Sequence, residues 1–301
     1  MFTFVKKIAL CLYNAGDSAI YDHDGIEHAG YLAFLNMLAL FPFLVLIVAI
    51  AGVLGQGEAG AHFLELLVEN LPPKAVAAIR PRIEEIVSGP PQGLLTISIL
   101  GAIWTASSAV EGIRTTLNRA YRVRTPPNYW FRRSLSILQL LLFTLIIIVA
   151  MLLLVFLPIV FKSIEEHFGL QFTIEGNASL GNIILYISIG AMFVVVSALY
   201  YLLPNIKQTL MNVIPGAVVT VLLWVLAAGL FSLYLSKVDQ VNLIYGSLGG
   251  VIATLIFFYL INFIFIYGAE LNYQLAVTFE RRPEEKEAVS GEPIEPTSGH
   301  S

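Results

Sequence analysis

Apolar residues run along this chain in blocks too long, and too continuously apolar, for the one-sided helices of a water-soluble fold. Six blocks stand out: Tyr31–Leu54, Gly93–Val110, Leu135–Phe161, Leu180–Leu203, Val213–Leu235 and Ser247–Ala276. Each reaches the roughly 17–25 residues that carry a helix across a bilayer. The third, fourth and fifth contain no Asp, Glu, Lys or Arg. The second is short and carries Thr96, Ser98, Thr105, Ser107 and Ser108. It reads as a helix inside a bundle, where neighbours satisfy its hydroxyls. The pattern predicts an all-α fold, a polytopic six-helix transmembrane bundle.

The polar stretches between these blocks are informative too. In the loop Gly55–Gln92, Ala61–Asn70 places Phe63, Leu66 and Leu67 on one face, and Pro73–Val87 does the same with Val76, Ile79, Ile83 and Ile86. Both read as amphipathic helices, parted at Leu71-Pro-Pro73. They fit a cap on the bundle, a lid over a pathway, or a surface resting on the outer leaflet. At the start, Phe2, Val5, Ala9 and Leu12 recur at helical spacing. The apolar run Ile8–Tyr13 is shorter than the ~7–15 residues of a signal-peptide core. Residues 1–30 therefore read as a cytoplasmic amphipathic segment lying on the membrane. Residues 31–276 form the transmembrane domain. The tail, 277–301, has little apolar content beyond Arg281 and is expected to be disordered.

Composition supports lipid as the solvent. The chain of 301 residues is 57% hydrophobic and 13% charged, where soluble domains carry about 25% charge. Basic residues set the orientation. With the N-terminus in the cytoplasm, twelve of the 17 Lys and Arg fall inside and five outside, which places both termini of a multi-pass protein in the cytoplasm. The net charge of −4 comes with no broad basic face, which argues against a nucleic-acid partner. Membrane lipids are the expected partners. The lone Cys11 excludes an internal disulfide and cysteine-based zinc or iron–sulfur sites, and no cofactor is expected.

Candidate chemistry gathers around Glu270. No Asp, Glu, Lys or Arg occurs between Gln240 and Ala269, and then this carboxylate appears. A charge at the bilayer centre costs at least ~2.5–3.5 kcal/mol, so Glu270 must sit near the interface, face protein or water, or hold a proton. An arginine of the Arg114–Arg133 loop would make it a structural ion pair. A proton- or cation-responsive site is the functional alternative. With Asn262, Asn272, Ser107 and Ser108, Glu270 forms the set of substrate- or ion-pathway candidates. Arg114, Arg119, Arg122 and Arg124 are candidates for anionic lipid or headgroup binding, since each basic residue near the surface is worth ~1 kcal/mol of attraction. Gly246 and Gly250 have the spacing that lets helix backbones approach closely, within one chain, at a homo-oligomer seam, or as a hinge. Gly216 and Gly268 are further packing candidates. Pro42 lies mid-span and should free the Leu38 carbonyl, whereas Pro215 lies near a helix start and needs no special explanation. Asp22, His23, Asp24, Glu27 and His28 bring metal-type donors together. Of these, His23, Asp24 and His28 are weak metal candidates in a stretch where solvated polar residues are expected anyway.

An ordered set of short motifs resembles the YihY/BrkB family of bacterial inner-membrane proteins. They are Phe41-Pro42, Asn118-Arg119-Ala120-Tyr121, Leu203-Pro204-Asn205, Pro215-Gly216-Ala217, Leu223-Trp224, Phe231-Ser-Leu-Tyr234, Tyr245-Gly-Ser-Leu-Gly-Gly250 and Gly268-Ala-Glu-Leu-Asn272. The resemblance spans Tyr31 to Leu275 and implies six spans, an all-helical fold and a cytoplasmic-membrane location. Members are described as transport- or virulence-associated, and some carry a ribonuclease label. The segment Asp22–His28 departs from the looser acidic stretch common in the family, so no role carries over to its histidines. A ribonuclease would need a metal cluster or an acid–base pair within reach of RNA. The five histidines, His23, His28, His62, His167 and His300, form no H-x-H-x-D-H pattern. The expectation is a non-enzymatic transporter or permease, with a lipid-interacting or scaffolding protein as the alternative.

Overall fold

A computed structural model describes residues 2–22, 24–54, 92–124, 127–168, 177–237, 248–279 and 284–286. Seven α-helices follow in order: α1 (Phe2–Asp17), α2 (Gly25–Leu54), α3 (Gln92–Ala120), α4 (Tyr129–Phe168), α5 (Asn177–Leu202), α6 (Leu210–Lys237) and α7 (Leu248–Thr278). A π-helical turn, Ser18–Asp22, links α1 to the approach to α2. Two short strands, β1 (Ile206–Lys207) and β2 (Glu284–Glu285), pair antiparallel. The protein is an all-α membrane protein. Among the described residues, four segments are long and apolar enough to cross a bilayer: Tyr129–Val149, Leu185–Leu202, Leu210–Leu235 and Gly249–Thr278. Helices α2 and α3 cover the first two expected spans. The amphipathic helices expected between Ala61 and Val87, and Gly246, lie outside the described residues.

The surface of these helices identifies their solvent. Leu222, Leu226, Leu230 and Leu233 on α6 are all more than half exposed. Such a continuous apolar stripe is unfavourable in water and favourable in hydrocarbon.

The chain divides into two compact units. One comprises residues 38–108 and 137–191. Its described core includes Leu46, Ala102, Ala106, Leu140 and Phe143. Its hydroxyls bond their own helices: Thr105 to the Gly101 carbonyl, and Thr144 to that of Leu140. A Thr hydroxyl can in this way be satisfied by its own helix.

The other unit, residues 1–37, 109–136 and 192–301, holds the charged chemistry. Helix α1 packs along the last turns of α7, burying Cys11 and Ala15 against Leu271. These buried positions are not the stripe read from its spacing, of which Ala9 and Leu12 are exposed. The start of α2 packs Ala29 and Leu32 against Ile266. Helices α6 and α7 cross where Gly216 meets Gly268. A Cβ on Gly216 would overlap the Gly268 carbonyl and the Asn272 amide, and one on Gly268 would overlap Thr220 Oγ1 and the Tyr200 hydroxyl. Small residues at this crossing let polar groups pair inside an apolar bundle. The Tyr200 hydroxyl donates to the Phe265 carbonyl at 2.6 Å and lies 2.8 Å from Thr220 Oγ1. Trp224 Nε1 donates to the Ile261 carbonyl at 2.8 Å.

Two expectations are refined here. Helix α6 begins at Leu210, so Pro215 lies inside it. Asn272 of α7 braces the backbone on either side of the proline. Its Oδ1 accepts the Gly216 N–H at 2.7 Å and its Nδ2 donates to the Val213 carbonyl at 3.3 Å. In the stretch read as a disordered tail, the described residues continue α7 to Thr278 and add Glu284–Glu285 as a strand to Ile206–Lys207. Main-chain pairing needs no apolar side chains, so the polar composition of the tail does not forbid it.

Candidate functional site

Helix α3 ends in a Schellman motif. The Val123 N–H bonds the Asn118 carbonyl at 2.8 Å and the Arg122 N–H bonds that of Arg119 at 3.0 Å. The motif requires a left-handed residue at its turn, usually Gly. Here the residue is Arg122, with φ of 58°. A non-glycine residue there costs ~1–2 kcal/mol, so its side chain must repay the strain. Its guanidinium pairs with Glu270 Oε2 at 2.7 Å, donates to the Ala120 carbonyl, and lies 4.0 Å from the Tyr273 ring centroid. Glu270 is fully buried, while Arg122 keeps a quarter of its side chain exposed. The partner of the intramembrane acid thus comes from the arginine loop.

Around this pair, Asn272 Nδ2 also donates to the Tyr121 hydroxyl at 3.3 Å. Burial and, secondarily, the Glu270 carboxylate hold the Tyr121 phenol above its ordinary range, against the Asn272 hydrogen bond. The Asn272–Tyr121 contact therefore lies beside the Arg122–Glu270 pair between the end of α3 and α7, and Asn272 ties it to α6 through Gly216.

A polar network lies one to two turns back along α3. Arg114, buried, reaches Glu111 Oε2 at 3.3 Å, Ser136 Oγ at 3.3 Å and the Leu203 carbonyl at 3.3 Å. Ser136 donates to Glu111 Oε2 at 2.8 Å, and Arg132 Nε lies 3.5 Å from Glu111 Oε1. Asn118 Oδ1 accepts the Asn205 N–H at 2.8 Å. The Asn118–Tyr121 and Leu203–Asn205 motifs noted in the sequence meet here. The returning tail joins them: the Lys286 N–H bonds the Asn205 carbonyl at 3.1 Å, and its Nζ lies 3.4 Å from the Pro204 carbonyl.

The remaining candidates scatter. Arg119 donates to Asp24 Oδ2 at 2.8 Å and approaches His28 Nε2 at 3.0 Å, so Asp24 and His28 converge on a guanidinium. His23 lies outside the described residues. Asn262 accepts from Asn36 of α2 at 3.3 Å and donates to the Phe258 carbonyl at 2.7 Å. Ser107 and Ser108 both turn back to the Trp104 carbonyl of their own helix, at 2.9 and 3.1 Å. Arg124 is exposed. Gly250 is exposed, and a Cβ there would meet nothing within 4 Å. Pro42 lies inside α2. A cavity of about 490 Å³ between α1, α6 and α7 is lined mainly by apolar residues such as Ile8, Leu12, Val219 and Leu275, with none of the pathway candidates. Among the described residues no group of three His, Cys, Asp or Glu is placed to hold a metal.

Sequence reasoning missed Ser136 as a partner of Arg114, Arg132 as a second cation on Glu111, and Lys286 on the Pro204 and Asn205 carbonyls. The signal for the first two was local: Glu111 and Arg114 are three apart on one helix, and a buried pair needs further donors. Lys286 had no local signal.

The chain is 30% identical over 260 residues to the ribonuclease-like protein YfkH of Bacillus subtilis (strain 168), covering 83% of this chain and 90% of that one. It is 25% identical over 265 residues to a UPF0761 membrane protein of Pseudoalteromonas atlantica, with 87% and 85% covered. A UPF0761 membrane protein of Alteromonas mediterranea is 26% identical over 262 residues, with 85% of each covered. No solved structure matches. The model of the family described as virulence factor BrkB matches residues 18–292, and the chain, an integral membrane protein, belongs to that family.

Proposed function

We propose that this protein is a six-span transporter or permease of the bacterial inner membrane, with both termini in the cytoplasm. The carrying observation is Glu270: fully buried, at the end of a span without other charges, and matched to a partly exposed arginine. Ionisable groups are rare in membrane spans because they are costly, and they mark pathways and proton relays where they occur. In this reading the Glu270–Arg122 pair is the charged gate of the pathway at its cytoplasmic end. Protonation of Glu270 or arrival of an anion at Arg122 exchanges one partner for another. The substrate is a small molecule or lipid that meets this pair.

The test is reconstitution into vesicles, following a panel of anionic solutes and labelled lipids under an imposed pH gradient. Protein-dependent movement that is lost in Glu270→Gln while the protein stays folded supports the reading. Folded protein that moves nothing across the panel overturns it.

One set of observations favours a second reading, a lipid-interacting or scaffolding protein without flux. Asn262, Asn272, Ser107 and Ser108 each find protein partners, as structural polar groups do. No hydrolytic step belongs to either reading. The ribonuclease-like name of the Bacillus relative is tested on the same preparation: RNA cleavage abolished by His28→Ala would overturn both.

A further inference from the structure

We propose that Arg114, Arg132 and Lys286 form a binding site for a phosphate-class anion where the tail strand folds back onto the end of α5. The assignment rests on the membrane-protein reading but not on transport.

Geometry carries it first. Arg114 and Lys286 hold the carbonyls of consecutive residues, Leu203 and Pro204. Neighbouring residues are only ~3.8 Å apart along the chain, so the two cationic heads share one small region. Arg132 joins from the other side through Glu111, whose two oxygens are shared between the guanidiniums. Three of these four side chains are cations and one is a carboxylate, and like charges held close together favour the binding of an anion. Burial and the Arg114 charge both act against the Lys286 ammonium and lower its pKa from the ordinary value.

A second observation is independent of charge. Asn118 uses its Oδ1 on the Asn205 N–H of the same turn, while its Nδ2, buried, has no acceptor among the described residues. A buried donor without an acceptor is costly, and the same side chain bonds Asn205, next in the chain to the carbonyls that Arg114 and Lys286 contact. Exposed Lys286 and partly exposed Arg132 provide the approach. Tetrahedral oxyanions suit the set: a guanidinium offers paired donors to phosphate and an ammonium a point charge. The source is either the headgroup of an inner-leaflet lipid or a soluble phosphate compound. In both cases the anion would pin the tail strand by bridging Lys286 to Arg114.

The experiment uses the full-length protein. In detergent after delipidation, binding of inorganic phosphate and pyrophosphate is titrated by calorimetry. In nanodiscs, retention of phosphatidylglycerol over phosphatidylcholine is read by native mass spectrometry. Lys286→Ala and Arg132→Ala are compared with Lys207→Ala, an exposed lysine on the neighbouring strand. Each of the first two should weaken binding about ten-fold, the worth of one charge-assisted hydrogen bond, and Lys207→Ala should not. Binding in detergent assigns a soluble phosphate, and selective retention in nanodiscs alone assigns a headgroup; both support the site. Glu284→Gln with Glu285→Gln removes carboxylates adjacent to Lys286 in the chain, and should leave binding equal or tighter. Overturning results are no binding of either kind, equal binding in wild type and Lys286→Ala, or loss in the Glu284/Glu285 variant. Flux without binding would sink this site and leave transport standing; binding without flux would do the reverse.

Discussion

Arg119 and Arg122 lie three residues apart where α3 ends, and each holds a carboxylate from another helix or its approach. The contacts are nearly equal in length, 2.8 Å to Asp24 and 2.7 Å to Glu270. Their surroundings are not. Both members of the Arg119–Asp24 pair are about half exposed, whereas Glu270 is wholly buried. Coulomb energy at equal distance scales inversely with the local dielectric. The exposed pair therefore contributes little, and each of its members is well solvated alone. The buried pair contributes little net as well, since desolvation offsets attraction, but neither half tolerates losing the other. The lesson is that the two pairs differ less in what they add than in what happens when one is broken.

Breaking the buried pair should have the largest effect. Arg122→Ala leaves an uncompensated buried carboxylate and removes the contact over Tyr273. Breaking a buried pair costs about 3–5 kcal/mol, and the partial exposure of Arg122 puts the expected loss near the lower end, about 3 kcal/mol. Adding Glu270→Gln to Arg122→Ala should recover much of it, because a neutral amide no longer requires a cation. Unfolding in detergent micelles measures both. If the single and double variants are equally unstable, Glu270 is not the reason that Arg122 matters.

The backbone supplies a finer test of the same pair. Arg122 occupies a position that favours glycine, so Arg122→Gly loses the same contacts as Arg122→Ala but sheds the left-handed strain. It should be about 1 kcal/mol more stable than the alanine variant, the usual scale for such positions. Equal stabilities would mean that the α3 terminus relaxes out of its Schellman geometry once the ion pair is gone.

These contrasts also mark how far sequence reading reaches. The long apolar helices were legible because hydrocarbon imposes a length and excludes charge, both one-dimensional properties. Glu270 was legible as an anomaly for the same reason, and an arginine from the α3–α4 loop was the natural partner. Which arginine was not legible, since the choice depends on the turn that ends α3. The bracing of Pro215 was not legible because the residue that supplies it, Asn272, lies on another helix. Only the Gly216–Gly268 crossing brings the two together. Ser107 and Ser108 looked like a polar lining, but a hydroxyl in a helix can bond its own backbone, and composition does not distinguish the two uses. The tail strand was invisible because main-chain pairing leaves no trace in side-chain composition. The Leu203–Asn205 and Asn118–Tyr121 motifs were visible as patterns, and their meeting needed the fold.

The exposed pair gives the smaller prediction on mutation. Asp24→Ala should cost no more than about 1 kcal/mol, as surface pairs do, and added salt should erase the difference from wild type, because the Debye length at 0.15 M is only about 8 Å. A loss comparable to that of Arg122→Ala, or one insensitive to salt, would show that exposure does not separate the two pairs.

The subtlest difference is in pH response. Arg119 donates only, so the 3.0 Å contact to His28 Nε2 requires that nitrogen to be the unprotonated acceptor. Burial first and the Arg119 charge second lower the His28 pKa below its ordinary 6.5, with Asp24 and Glu27 opposing them. The unfolded chain therefore binds the His28 proton at higher pH than the folded protein does. By linkage, stability is full above about pH 6.5 and declines as the pH falls from there toward the lowered folded value. The effect should be modest because the site is partly open to solvent. His28→Gln keeps an acceptor for Arg119 and cannot titrate, so its melting temperature should fall less than that of wild type between pH 7.5 and 5.5. Parallel declines in the two proteins would place the acid sensitivity elsewhere, and a steeper decline in wild type that persists in Arg119→Ala would separate it from the guanidinium contact.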